Sequence, residues 1–233
     1  ETTWGTDFDC IADSILERGF EKAIVITDGY ASMSQERKNA LKESGTPASF
    51  FVVGADVMQN PDLLVRMFDE GHEVGSHTFS HPRMDRISRS RAELELTMMQ
   101  KLIAGYSGRE TLLYREPFQR AGGPIAEGRV VSMAEVQSAG AIISGMEIVP
   151  KDWLGLTAAE IVDYVVAELE AGAGNVILLH DGGENREETV AAVPMLIETL
   201  TALGYEFTTL GDLLGIPPET LMPATGAVWP QFD

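Results

Sequence analysis

Short apolar runs alternate with longer amphipathic stretches along this chain. Runs at residues 23–27, 48–53, 73–75, 112–114, 141–144, 176–179 and 206–209 are rich in β-branched and aromatic residues, which predicts strands. Residues 8–18, 34–43, 61–70, 90–104, 158–170 and 189–203 carry the longer spacing of helices. Ser44-Gly45, Glu70-Gly71 and Leu203-Gly204 supply helix stops. Strand–helix alternation of this kind predicts parallel pairing through right-handed crossovers. Seven such units can close into a barrel-like sheet ringed by helices, and an open doubly wound sheet satisfies the same periodicity. Residues 119–127, rich in Gly, Ala and Pro, read as a loop. One domain over 23–215 is expected, with an N-terminal helical extension (1–22) and a C-terminal tail (216–233) that wraps the surface.

Composition narrows the partners. The 233 residues hold 36 acidic and 17 basic side chains, a formal charge of -19. Such a surface repels nucleic acid and anionic membrane, so a neutral or amine-bearing partner is expected. No apolar run approaches the roughly 20 residues of a membrane-spanning helix. Cys10 is the single cysteine, which excludes an internal disulfide and a cysteine-based zinc site and suggests a small buried residue. Neither the compartment nor the oligomeric state is fixed by these features.

The candidate chemistry sits at the ends of the expected strands. His77 and His81, in Gly75-Ser76-His77-Thr78-Phe79-Ser80-His81-Pro82, are four apart. On a helical turn that spacing puts both imidazoles on one face, where they can grip one cation; two surface histidines bonding locally is the plainer reading. Asp28 ends the run Ala23-Ile24-Val25-Ile26-Thr27-Asp28-Gly29 and offers a third ligand, or else marks an Asp-Gly turn. Two histidines and a carboxylate leave positions open for water and substrate, as a catalytic metal requires. His180 likewise ends Val176-Ile177-Leu178-Leu179 before a Gly-Gly turn, and Asp152 follows the strand at 141–144. An Asp bonded to a His fixes its tautomer and suits it to general-acid work. Arg115, after Leu112-Leu113-Tyr114, is a further polar strand end. Each alone could be a structural cap.

These motifs, in this order, resemble the polysaccharide deacetylases (NodB-homology domains, carbohydrate esterase family 4). Thr46-Pro47-Ala48-Ser49-Phe50-Phe51-Val52-Val53-Gly54, Asn60-Pro61-Asp62 and Glu70-Gly71-His72-Glu73-Val74-Gly75-Ser76-His77-Thr78-Phe79-Ser80-His81-Pro82 carry the likeness. Arg115-Glu116-Pro117 resembles the family's R-x-P motif, Asp152-Trp153 the end of D-x-x-D-W, and Leu178-Leu179-His180 its L-x-H motif. The resemblance runs from about residue 45 to 214 and implies a distorted (β/α)7 barrel that removes N-acetyl, or sometimes O-acetyl, groups from carbohydrate polymers. It implies Asp28, His77 and His81 as ligands of a divalent metal (zinc, or cobalt, nickel or manganese), His180 as general acid and Asp152 as its orienter. Arg115 would normally hold the catalytic base. Trp153 and Leu178 would wall an acetate pocket, and the backbone amide of Phe118 would join the metal in stabilising the oxyanion. His72 matches a structural histidine. Such enzymes favour the cell envelope or the exterior, although no signal peptide stands in this chain. Substrate specificity would lie in the loop at 119–127.

Three features qualify the likeness. Where the family reads T-F-D-D-G, with the first Asp as base, this chain reads Val25-Ile26-Thr27-Asp28-Gly29, so the base position is Thr27. Glu116 is the first candidate to substitute, with Asp7 or Asp9 weaker ones; a catalytically silent domain that keeps the fold and binds metal or carbohydrate is the alternative. Val149 also replaces the first Asp of D-x-x-D-W. Residues 4–44, with Trp4-Gly5-Thr6-Asp7-Phe8-Asp9 and Ile26-Thr27-Asp28-Gly29-Tyr30, are similar to part of a von Willebrand factor A-type domain. The resemblance implies either a chimera or a divergent deacetylase.

Overall fold

The computed structural model describes residues 22–29, 41, 44–119, 133–134, 136–138, 140–183 and 185–226; within 22–29 it describes the backbone and the side chains of Val25 and Thr27. The helix expected at 8–18, Asp7, Asp9 and Cys10, the helix expected at 34–43 apart from residue 41, and the loop expected at 119–127 apart from residue 119 lie outside these residues.

Seven parallel strands form, each where the apolar pattern placed it: β1 (Lys22–Gly29), β2 (Ser49–Val52), β3 (Glu73–Ser76), β4 (Leu113–Tyr114), β5 (Ile142–Ile143), β6 (Val176–His180) and β7 (Glu206–Thr208). They are ordered β5-β4-β3-β2-β1-β6, with β7 beside the first residues of β1. The ring closes beyond β5, where Ile148 makes a parallel bridge to Ile177 and exchanges hydrogen bonds with Val176 and Leu178. This closure excludes the open sheet and gives a distorted α/β barrel. Ring strands buried on both faces read as near-continuous apolar runs; every residue of β2 is buried. Phe50 and Phe51 are core side chains there, each stabilising by about 1.5–3 kcal/mol on burial. Phe51 can lie flat because Gly75 on β3 has no Cβ, which would stand 2.5 Å from its ring.

Outside the ring lie α1 (Gly54–Val57), α2 (Pro61–Asp69), α3 (Arg89–Ser107), α4 (Ala158–Glu170), α5 (Glu187–Ala202), α6 (Leu210–Leu214) and α7 (Pro218–Leu221). Their ends follow local chemistry. Pro61 opens α2, Ser88 caps α3 through the Arg91 amide, and Thr157 with Glu160 forms a capping box on α4.

The C-terminal segment differs from the surface tail expected. Leu221 of α7 and Met222 are buried, and the backbone from Leu221 to Thr225 bonds to residues 108–112. Its apolar residues are too few for a periodic signal, but they plug the barrel end that the strands enter. At that end a buried carboxylate, Glu73, accepts from Ser49 Oγ (2.8 Å) and from the Gly211 amide (2.9 Å). Burial pushes its pKa up, against those hydrogen bonds. Nearby, His72 packs edge-on to the Phe50 ring at 5.1 Å, and burial lowers its pKa. That environment suits a neutral structural histidine at the end of the barrel remote from the candidate chemistry.

Candidate active site

The expected site residues gather at the C-terminal ends of the strands. Asp28 stands near the end of β1, in register with His180 of β6 and Phe51 of β2. Its side chain lies outside the described residues. His77 follows β3 directly, Arg115 follows β4, and Asp152 follows the Ile148 bridge in a 3₁₀ turn, Asp152–Leu154.

The two histidines converge, but not on a helical turn. The chain after β3 is irregular, and Thr78 (φ 68) and His81 (φ 54) both adopt left-handed backbone. Such residues cost about 1–3 kcal/mol each and persist only where the surroundings over-determine them. Here Thr78 and Phe79 accept backbone bonds from Gly54 and Ala55 of α1 at 3.1 and 2.8 Å, and the His81 amide donates to Thr78 Oγ1 at 3.1 Å. Gly54 permits this close approach, since a Cβ there would stand 2.5 Å from the Phe79 ring and 3.1 Å from its Cα. Gly54→Ala is therefore expected to cost about 1–3 kcal/mol of stability by overpacking, read as a lower urea midpoint.

Within this loop His77 is buried and its Nδ1 donates to the carbonyl of Arg115 at 2.9 Å. A carbonyl only accepts, so Nδ1 holds the proton and Nε2 presents a lone pair. That Nε2 lies 3.1 Å from Nε2 of His81, with the rings edge-on. An imidazole pinned by its far nitrogen, with its near one facing another imidazole, is the arrangement of metal-ligating histidines. The donors present thus fit a divalent cation, although no group of three His, Cys, Asp or Glu is arranged for one among the described residues.

The second cluster spans β6 and the turn after Ile148. His180 Nδ1 donates to Asp152 Oδ1 at 2.9 Å, and the His180 amide donates to Oδ2 at 2.8 Å. Thr189 Oγ1, fully buried in the first turn of α5, adds a third donor to Oδ2 at 3.0 Å. The Asp152 carboxylate is therefore fixed by three donors, and His180 Nε2 is the ring nitrogen left to act. Trp153 stacks edge-on against His180 at 4.5 Å while 41% exposed, and Phe118 lies 4.7 Å from His81 while 51% exposed. Leu178, two residues before His180 in β6, is buried in the core.

Arg115, 1% exposed, donates to the Gly145 carbonyl (3.2 Å) and Met146 Sδ (3.1 Å). Thr27 is buried, and its hydroxyl has no hydrogen-bond partner among the described residues. Glu116 is also buried; the Arg83 guanidinium, 5.9 Å from the Phe118 ring centroid, is held above its usual pKa first by Asp85 and further by the charge of Glu116.

Sequence reasoning missed three contributors: Gly54, Thr189 and Glu95. Glu95, on α3, takes the Ser80 amide and hydroxyl at 2.7 and 2.6 Å. Nothing in the local pattern marks Thr189 or Glu95, because each acts on a residue from a different element. A rim signature is visible in the backbone. Among the described residues the non-glycine left-handed positions are Thr78, His81, Phe118, Lys151 and Asn185, and all follow strand C-termini on the site side.

Known proteins share this sequence and fold. Residues 19–127 match the family model described as Polysaccharide deacetylase, which places β1 inside that domain. The chain is 32% identical over 197 residues to a peptidoglycan-N-acetylglucosamine deacetylase of Bacillus cereus, covering 83% of this chain and 89% of the relative. It is 33% identical over 186 residues to a chitooligosaccharide deacetylase of Bradyrhizobium, covering 75% and 81%. Other relatives are longer; the chain spans 38% of a peptidoglycan-N-acetylglucosamine deacetylase of Listeria monocytogenes. The crystal structure of the Bc1960 peptidoglycan N-acetylglucosamine deacetylase superposes with a TM-score of 0.76 at 22% identity, covering 88% of this chain and 98% of that one. The fold is thus the distorted (β/α)7 barrel, and the chain belongs to the polysaccharide deacetylases, divalent-metal-dependent hydrolases that remove acetyl groups from carbohydrates.

Proposed function

We propose that this domain hydrolyses the N-acetyl groups of N-acetylglucosamine-containing polymers, peptidoglycan or chitooligosaccharides, using a zinc-class cation held by Asp28, His77 and His81. The observation that carries this reading is the pair of Nε2 atoms 3.1 Å apart, one with its proton fixed on the far nitrogen by the Arg115 carbonyl. Imidazole donors favour zinc, with cobalt, nickel or manganese as alternatives. Bound there, the cation supplies Lewis acidity toward the acetyl carbonyl and lowers the pKa of water.

The chain's own residues divide the remaining work. Protonated on both ring nitrogens, His180 gives its Nε2 proton to the departing amine, while Asp152, bonded to Nδ1–H, orients the ring and stabilises the imidazolium before the transfer. Trp153 and Leu178 wall the acetyl pocket, and the Phe118 amide donates toward the oxyanion. Thr27 cannot take the proton from water, so the activity is weakened, and Glu116 is the carboxylate proposed as a less effective substitute. The -19 charge favours neutral or amine-bearing sugars over anionic polymers.

Acetate release from N-acetylglucosamine oligosaccharides and from peptidoglycan, with zinc or cobalt, tests the reading. It should be metal-dependent and lost in His77→Ala; release that survives His77→Ala would refute the metal site. The second reading, a catalytically silent domain, is favoured by the hydroxyl of Thr27 at the base position, which has no partner among the described residues. Metal binding without any acetate release is the result that reading requires.

A further inference from the structure

We propose that Glu95 is a positioning residue that clamps the His77–His81 loop onto α3 and thereby sets the separation of the two imidazoles for cation binding. The inference rests on the metal reading above.

Glu95 belongs to a helix yet spends its carboxylate on a loop. Its side chain is 1% exposed. Oε2 accepts from the Ser80 amide at 2.7 Å, and Oε1 accepts from Ser80 Oγ at 2.6 Å. Arg91, one turn earlier on α3, donates to Oε1 from Nε (2.9 Å) and Nη2 (2.5 Å). The Arg91 fork fixes the carboxylate, and the carboxylate fixes Ser80. Ser80 is the residue immediately before His81.

The loop's own bond, from the His81 amide to Thr78 Oγ1, leaves Ser80 to be held from outside. Thr78 and His81 are both in left-handed backbone without being glycine, so released chain relaxes toward other conformations. The other anchors act at Thr78 and Phe79, through Gly54 and Ala55. Between Phe79 and His81 the described ties are the two short bonds from Ser80 to Glu95 and a longer one, 3.2 Å, from Arg91 Nη2 to Ser80 Oγ, so the Arg91–Glu95 pair acts as one clamp with the carboxylate as its main contact. His77 is held independently by the Arg115 carbonyl, so a slack Ser80 moves His81 relative to a fixed partner. A ligand pair altered in separation binds its cation less tightly, and outer partners of metal ligands typically contribute about 10–100-fold in affinity.

The test is cobalt binding by the whole chain, measured by competition with a chromophoric chelator, together with the visible d–d spectrum of the loaded protein. Glu95→Ala should weaken cobalt binding about 10–100-fold and shift the d–d bands. Glu95→Gln, which keeps the length and one acceptor but turns an N–H₂ toward donors, should fall between the two. Should Glu95→Ala fail to fold, as seen by circular dichroism, Glu95→Gln carries the comparison. A lowered melting temperature with unchanged affinity and spectrum would make Glu95 a purely structural residue and overturn the proposal. If the parent chain itself binds no cobalt, the metal reading falls and this proposal with it; parent binding equal to that of both variants removes this proposal alone.

Discussion

Thr27→Asp is expected to raise the rate of acetate release by about 10²–10⁴-fold, the usual contribution of a positioned general base. Thr27 lies one residue before Asp28, in register with Leu179 on one side and Phe50 on the other. A threonine hydroxyl does not accept a proton from water at neutral pH, whereas a carboxylate, with a reference pKa of about 4, does. The two side chains are close in volume, so the exchange adds a charge without overfilling the strand end. The measurement is acetate release by parent and variant at equal metal loading. Equal rates would place the base elsewhere, and a fall in Glu116→Gln would then locate it.

Asp152→Ala is the second large effect, and it strikes rate and stability together. The carboxylate serves the His180 ring, the His180 amide and the Thr189 hydroxyl. Without it the imidazole loses both its tautomer and its orientation, so kcat is expected to fall by about 10²–10⁴-fold. The same change strands buried donors, each costing about 1–3 kcal/mol if it stays unpaired. Steady-state kinetics and urea unfolding on one preparation read the two effects separately. A fall in stability with kcat unchanged would remove Asp152 from the chemistry and leave it a structural acceptor. Combining it with His180→Ala should add little further loss of rate, since residues that act as a unit are not additive.

Much of this architecture was legible because strand burial writes itself into sequence. Val176-Ile177-Leu178-Leu179 and Phe50-Phe51-Val52 are buried throughout, and short, unbroken apolar runs bounded by turn residues are what strands buried on both faces write. The polar residues that end those runs were equally visible. His180, Asp28, His77 and Arg115 stand where apolar chain gives way to turn. Less legible was how His77 and His81 meet. Their spacing suggested a helical turn, but left-handed Thr78 and His81 do the work, and neither residue type announces that conformation. Glu95 and Thr189 were invisible for a related reason: each contributes through one contact with a distant element, and no period encodes such a contact. The short helices α1, α6 and α7 span too few turns to show a helical period. The von Willebrand-like likeness at 4–44 falls mostly on residues outside those described, while the strand it includes, β1, lies within the deacetylase family match.

The ring of strands is completed by a single bridge, Ile148 to Ile177. Asp152 lies four residues past one side of that seam and His180 three residues past the other. Their hydrogen bonds therefore act as a clasp across the join as well as an acid and its orienter. A fluctuation that parts the seam also separates the proton donor from the group that aims it, leaving the rest of the barrel standing. Catalytic competence then reports on a thinly held join of the ring, and activity is expected to fall at lower urea than the barrel's global unfolding.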